Sequence, residues 1–239
     1  MEFKAALQKG CEAIGLPLAP EVLERCEIYA SLLEEWNAKM NLTAIEDAEG
    51  VAVKHFVDSA AVLTFGVISG NERMVDVGTG AGFPGLVLKI FRPSLRVTLI
   101  DSLGKRIRFL ETVVDALGLD AVECLHARAE DAGRRPELRE QFDLVVARAV
   151  APWPVLSELL LPFARIGGFV VGWKGPDGGV EVQQADAAIQ LLGGKTRECL
   201  NFELPKGFGL RTFIRIEKVK ATPQAYPRKA GVPKRQPLA

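Results

Sequence analysis

One run, Met74-Val75-Asp76-Val77-Gly78-Thr79-Gly80-Ala81-Gly82-Phe83-Pro84-Gly85, constrains the fold of this chain more than any other stretch. An apolar segment ends near an acid, enters a turn with glycine at alternate positions, and leads into an apolar helical pattern. Glycine lets the backbone turn sharply and approach a ligand with no Cβ in the way. A strand feeding a helix N-terminus through such a turn is the core of a nucleotide-binding unit.

The rest of the chain supports that unit. From residue 73 onward, short β-branched runs alternate with helical segments. Strands are expected at Met74–Val77, Arg96–Ile100, Ala121–His126, Phe142–Ala147, Gly168–Trp173, Lys195–Leu204 and Arg211–Lys218, with helices near 84–91, 104–118, 134–140, 153–164 and 178–192. Such alternation implies a mostly parallel sheet with right-handed crossovers. Only Pro205–Gly209 separates the last two strands, so the sheet should end in an antiparallel hairpin. The expected organisation is a helical region over 1–70, a ligand-binding α/β domain over 71–219, and a Pro-rich basic tail over 220–239.

Net charge is zero, but its distribution is uneven. Residues 1–70 carry 5 Lys/Arg against 11 Asp/Glu, whereas 220–239 carry 5 against none. The helical region reads as a cover on the sheet or as a substrate-recognition cap. The tail has too few apolar groups for a core, and reads as a solvated end or as an arm that orders on nucleic acid. Four scattered cysteines without a Cys-x-x-Cys pair, and only two histidines, argue against a zinc site and for a reduced cytoplasmic setting. No apolar run approaches membrane-spanning length, and no signal peptide is expected.

The acid at Asp76, two residues before Gly78, would oppose a pyrophosphate at the loop and suits a cationic amino group, such as the methionine end of S-adenosylmethionine. Asp101, ending the next strand, suits the two hydroxyls of an adenosine ribose. Asp101 would serve an NAD site equally well, so an NAD(P)-dependent oxidoreductase stays as the alternative, with a non-catalytic RNA-binding assembly factor as the other. Ala129 and Glu130, after the third strand, fall where an adenine edge would be read. Arg148 ends the fourth strand at the expected methyl-transfer centre, as an orienting or phosphate-binding group. After that strand the chain has Arg-Ala-Val-Ala where amine methyltransferases carry Asn/Asp-Pro-Pro-aromatic, and no cysteine nucleophile is placed for attack on pyrimidine C5. An acceptor whose lone pair is already free, such as guanine N7, requires neither.

Several blocks then resemble one family. They are Asn41–Ile45, Lys54-His55-Phe56-Val57-Asp58-Ser59, Asp76–Gly85, Asp101-Ser102-Leu103-Gly104-Lys105-Arg106, Asp143–Val150, Trp173-Lys174-Gly175 and Tyr226–Pro233. In that order they are similar to the bacterial small-subunit ribosomal RNA guanine-N7 methyltransferases, the RsmG or GidB family. The resemblance implies a Rossmann-like class I S-adenosylmethionine-dependent methyltransferase with a seven-stranded sheet, an antiparallel last strand and an N-terminal helical extension. It further implies a cytoplasmic enzyme, expected as a monomer without a metal, acting on 16S rRNA in the small subunit. Cofactor contacts would fall on Asp76, Gly78, Gly80, Phe83, Asp101, Ser102, Leu103, Ala129, Glu130 and Arg148. RNA contacts would fall on Lys105, Arg106, Arg128, Lys174, Arg211, Arg228 and Lys229. Lys54 stands where the family commonly has arginine, which keeps charge but loses the bidentate fork.

Overall fold

The computed structural model describes residues 2–238; Met1 and Ala239, at the outer ends of the expected helical region and tail, lie outside the described residues. Seven strands, β1 (Arg73–Val77), β2 (Arg96–Asp101), β3 (Val122–His126), β4 (Phe142–Arg148), β5 (Ala164–Lys174), β6 (Gly194–Leu204) and β7 (Gly209–Lys218), form one sheet in the order 3-2-1-4-5-7-6. Strands β1 to β5 pair in parallel, and β7 runs antiparallel to both β5 and β6. The expected hairpin is present, and β7 inserts between β5 and β6 so that β6 forms the edge. Strand order reverses between β1 and β4, which makes the carboxyl ends of those strands the place where such sheets bind ligands.

The helices are α1 (Glu2–Ala13), α2 (Pro20–Met40), α3 (Ala48–Val51), α4 (Asp58–Ala60), α5 (Gly85–Phe91), α6 (Gly104–Leu117), α7 (Ala129–Ala132), α8 (Trp153–Leu160), α9 (Gly178–Gln184), α10 (Asp186–Leu191) and α11 (Val232–Arg235). Between α3 and α4 the helix widens into a π-helical turn, Ala52–Val57. Such local widening is frequent at functional sites, and here it carries Lys54 and His55.

Three expected helices differ. No helix covers 134–140, because Pro136 and the left-handed Glu140 (φ +55°) interrupt it; the short α7 precedes it instead. The 153–164 helix stops at Leu160, and β5 starts early at Ala164, paired with Phe142 ahead of a register shift. The 178–192 helix divides at Ala185.

Period-2 alternation assigns the two faces of the sheet. Met74, Leu99 and Val146 share a core with Leu7, Tyr29 and Phe56 of the N-terminal helices, while Val75, Val77 and Val145 pack with Trp153, Phe142 and Phe163. The N-terminal region is therefore a layer built on the sheet's own core.

The tail is anchored on the domain at several points, with exposed residues between them. Tyr226 and Leu238 pack against the second core. Arg139 donates to the carbonyls of Thr222 and Tyr226, both at 2.7 Å, and Glu140 accepts from the Thr222 amide at 2.7 Å. The fully buried Lys218 donates to Leu161 O and Thr222 Oγ1, and pairs with Glu140 at 3.1 Å. Burial pulls that ammonium down to about 8, against the pull of Glu140. Composition showed a segment unable to make a core alone, but not the acids and arginines elsewhere that hold it.

Candidate active site

The glycine loop has the backbone the sequence requires. Gly78 (φ +72°) and Gly80 (φ +63°) adopt left-handed conformations, and the amides of Gly78 and Thr79 donate to Ile100 O at 2.8 and 3.1 Å. A Cβ at Gly78 would come 2.8 Å from Val150, whereas at Gly80 it would meet open space. Asp76 is fully buried beneath this loop. Its Oδ2 accepts from Thr79 Oγ1 at 2.7 Å and the Gly85 amide at 2.8 Å, so it ties the start of the turn to the start of α5. Its Oδ1 has no partner among the described residues. Burial raises its pKa to about 6, opposed by the Thr79 and Gly85 hydrogen bonds. The expected contact with a cationic ligand thus falls on a side chain that here braces the loop from below and does not border the cleft.

That cleft, about 280 Å³, opens at the ends of β1, β2 and β4 and is bordered by Gly78, Asp101, Ser102, Ala129, Glu130 and Val150. It is near the lower end of small-ligand pockets. Leu103 (43 % exposed) and Val150 (36 % exposed) stand uncovered beside it, leaving apolar surface for a flat ring. Asp101 Oδ1 accepts from the Leu103 amide at 2.9 Å, and Oδ2 accepts from the Gly80 amide at 3.0 Å and Arg106 Nη1 at 3.2 Å. A carboxylate has about four acceptor sites, so one remains at Oδ1. A larger groove, about 760 Å³, lies between α1, α2 and residues 43–51. It contains no residue of the glycine loop, and Glu2, Glu27, Glu34 and Glu46 give it the wrong charge for RNA.

Arg148 does not reach that cleft. Its Nη1 donates to Lys54 O and Asp58 Oδ2, both at 2.8 Å, and its Nη2 donates to His55 Nδ1 at 3.1 Å. Because arginine only donates, His55 Nδ1 must be the unprotonated nitrogen, and Nε2–H then donates to Thr43 Oγ1 at 2.8 Å. Burial and the neighbouring Arg148 and Lys54 charges push His55 down to about 3, so it is neutral. Its ring stacks on Phe83 (centroids 4.6 Å apart), which stacks on Tyr29 (5.2 Å), and Tyr29 donates to Ala81 O. Arg148 lies over the Phe83 ring at 5.2 Å. The side chain expected at the reacting centre is thus a bolt between β4, the glycine loop and the π-helical turn, and Phe83 is the inner face of that joint.

The seven expected RNA contacts divide. Arg106 is held by Asp101, and Lys105 donates to Met40 O at 3.2 Å while staying exposed. Lys174 pairs with Glu181 at 2.6 Å and donates to Ala151 O. Arg211 Nε lies 3.2 Å from Asp58 Oδ1, a charge contact without hydrogen-bond geometry, since that oxygen has no hydrogen-bond partner among the described residues. Arg228 is locked on Glu158. Arg128 and Lys229 are exposed. Of these seven, Lys105, Arg128 and Lys229 are exposed.

Sequence reading missed Asp58 and Glu158. Asp58 sits between Arg148 and Arg211, and its carbonyl accepts from Trp173 Nε1 at 3.0 Å. The His55–Asp58 block stood out as a motif, but nothing local distinguishes Asp58 from a surface acid. Lys54 places its Nζ 4.9 Å from the Phe208 ring centre and gives its carbonyl to Arg148.

Comparison with known proteins bears on the same region. A family model described as rRNA small subunit methyltransferase G matches residues 22–206. A protein of Symbiobacterium thermophilum named ribosomal RNA small subunit methyltransferase G is 44 % identical over 241 residues, covering 99 % of this chain and 98 % of that one. One of the same name from Lactobacillus johnsonii is 47 % identical over 226 residues, covering 94 % and 95 %. Among solved structures, TrmN from Thermus thermophilus superposes with a TM-score of 0.53 at 20 % identity, covering 68 % of this chain and 48 % of that one. A 16S rRNA (adenine(1408)-N(1))-methyltransferase mutant from Catenulisporales acidiphilia gives 0.52 at 17 %, covering 64 % and 87 %. At those identities the solved structures establish a shared fold.

Proposed function

The chain belongs to the rRNA small subunit methyltransferase G family, and on that premise we propose that it transfers a methyl group from S-adenosylmethionine to N7 of a guanine in 16S rRNA. The observation that carries this reading is the Asp101 carboxylate, buried at the end of β2 beside the Gly78–Gly80 turn, at the point where strand order reverses. Asp101 would hold the ribose, with Ser102 and Leu103 beside it. Ala129 and Glu130 would read the adenine edge, with Leu103 and Val150 against the ring. The open space over Gly80 and the unfilled acceptor site of Asp101 fit such a ligand.

S-adenosylmethionine supplies an electrophilic methyl on a sulfonium. The protein's residues contribute placement. His55 is neutral with both ring nitrogens engaged, and Arg148 has its donors on Lys54, Asp58 and His55. Neither is available to take a proton from an acceptor. Guanine N7 has a free lone pair and no proton to lose, so orientation suffices. We assign Arg148 a positioning role, fixing the glycine loop through Phe83. Lys105, Arg128 and Lys229 would meet the phosphate backbone of small-subunit RNA. The setting that fits is the cytoplasm, with the protein acting as a monomer.

Calorimetry with the purified protein is expected to show saturable binding of S-adenosylhomocysteine and no binding of NADH. Binding of NADH alone would favour the oxidoreductase alternative.

A further inference from the structure

The C-terminal segment carries five cations and no acid; Lys220, Lys229, Lys234 and Arg235 are exposed, whereas Arg228 turns onto the protein. One of its contacts lands on a wall of the proposed cofactor cleft, and another lands directly beside one. Glu130, which lines the cleft, accepts from the Gly231 amide through Oε1 at 2.8 Å. Glu158 precedes Leu159, another lining residue, and is completely buried. Arg228 encloses it: the amide donates to Oε1 at 2.6 Å, Nε to Oε1 at 3.0 Å and Oε2 at 3.1 Å, and Nη2 to Oε2 at 2.6 Å. Nη2 also donates to Gln236 O at 2.8 Å, closing the segment on itself past α11.

Glu130 belongs to α7, only four residues long. A helix that short does not hold itself in water, and it must be fixed from outside. Arg139 Nη1 joins Gly133 O at its end to Tyr226 O in the tail, and a Cβ at Gly133 would come 3.3 Å from Pro227. The segment thus packs along the outer side of α7 and α8, whose inner side borders the cleft.

We propose that the C-terminal segment is the outer wall of the cofactor site, and that Arg228 is a positioning residue for cofactor binding, acting through Glu158 and the α7 turn that carries Ala129 and Glu130. The proposal rests on the methyl-transfer reading of the cleft. It reassigns Arg228 from the RNA contacts expected of a basic arm: a guanidinium shared by both oxygens of a buried carboxylate is not free to clamp phosphate, since releasing it would strand that carboxylate.

The test compares wild-type protein, Arg228→Ala and Arg228→Lys for S-adenosylhomocysteine affinity by calorimetry, and for methyl-transfer kinetics on small-subunit RNA at several salt concentrations. Near-ultraviolet circular dichroism checks folding. Arg228→Ala should weaken cofactor affinity at least 10-fold and raise KM for S-adenosylmethionine to match, with kcat within 2-fold of wild type at saturating cofactor. Arg228→Lys should recover part of the loss. If Arg228→Ala does not fold, Arg228→Ala combined with Glu158→Ala removes the stranded carboxylate and should show the same 10-fold loss. Unchanged cofactor affinity in a folded variant, with turnover lost in a salt-dependent way, would overturn the proposal and restore the segment to RNA binding. Failure of the wild-type protein to bind S-adenosylhomocysteine would overturn the reading of the cleft, and this proposal with it.

Discussion

Replacing Arg148 by alanine is expected to destabilise the protein by about 3 kcal/mol, the usual range for breaking a buried ion pair. The substitution removes both donors that meet Lys54 O and Asp58 Oδ2, and leaves the Asp58 carboxylate buried with only the misaligned Arg211 contact. It also leaves His55 Nδ1 without its donor and takes a cation off the Phe83 face. For a chain of this length, that loss corresponds to a fall in Tm of about 6–12 °C. Arg148→Lys keeps charge but cannot span three acceptors with a planar fork, so it should fall between. Urea denaturation measures the difference directly. A variant as stable as the wild type would show that the joint between β4 and the π-helical turn contributes nothing to holding the N-terminal layer in place.

Asp101→Ala is expected to weaken S-adenosylhomocysteine binding by about 100-fold. Hydrogen bonds to a charged group are each worth about 1.5–3 kcal/mol, and a factor of ten requires about 1.4 kcal/mol. The ribose contact would be lost outright. The Gly80 and Leu103 amides, which both donate to this carboxylate, would lose the acceptor that shapes the turn. Arg106 would be released into solvent. Asp101→Asn retains one carbonyl acceptor and should lie between alanine and wild type. Calorimetry on the three proteins checks this, and equal affinities would remove Asp101 from the site.

These two residues also mark how far the sequence could be read. The place of Asp101 was legible because it is set locally: the acid ends the strand after the glycine loop and borders the cleft beside it. The parallel sheet and its terminal hairpin were legible for a similar reason, since β-branched runs and connection lengths are properties of neighbouring residues. Arg148 was found at the end of β4, but its partners were not: Asp58 lies 90 residues earlier, just past a widened turn that no helical period announces. Asp76 likewise stood in the right loop, and only burial revealed that it points beneath the turn. The anchoring of the tail was hidden for the same cause. Arg228 and Glu158 are 70 residues apart, and composition records charges without recording which of them meet. Long-range pairing of buried charge is what the linear pattern leaves out, and here it decides which of the expected cations remain exposed.

The most direct test of the central claim is nucleoside mass spectrometry of 16S rRNA after incubation of small ribosomal subunits with the protein and S-adenosylmethionine. The expected result is N7-methylguanosine at a single position, present with the wild-type protein and lost with Asp101→Ala. Methylation only on an exocyclic amine or a pyrimidine C5, or no methylation of subunit RNA by a protein that binds the cofactor, would contradict it.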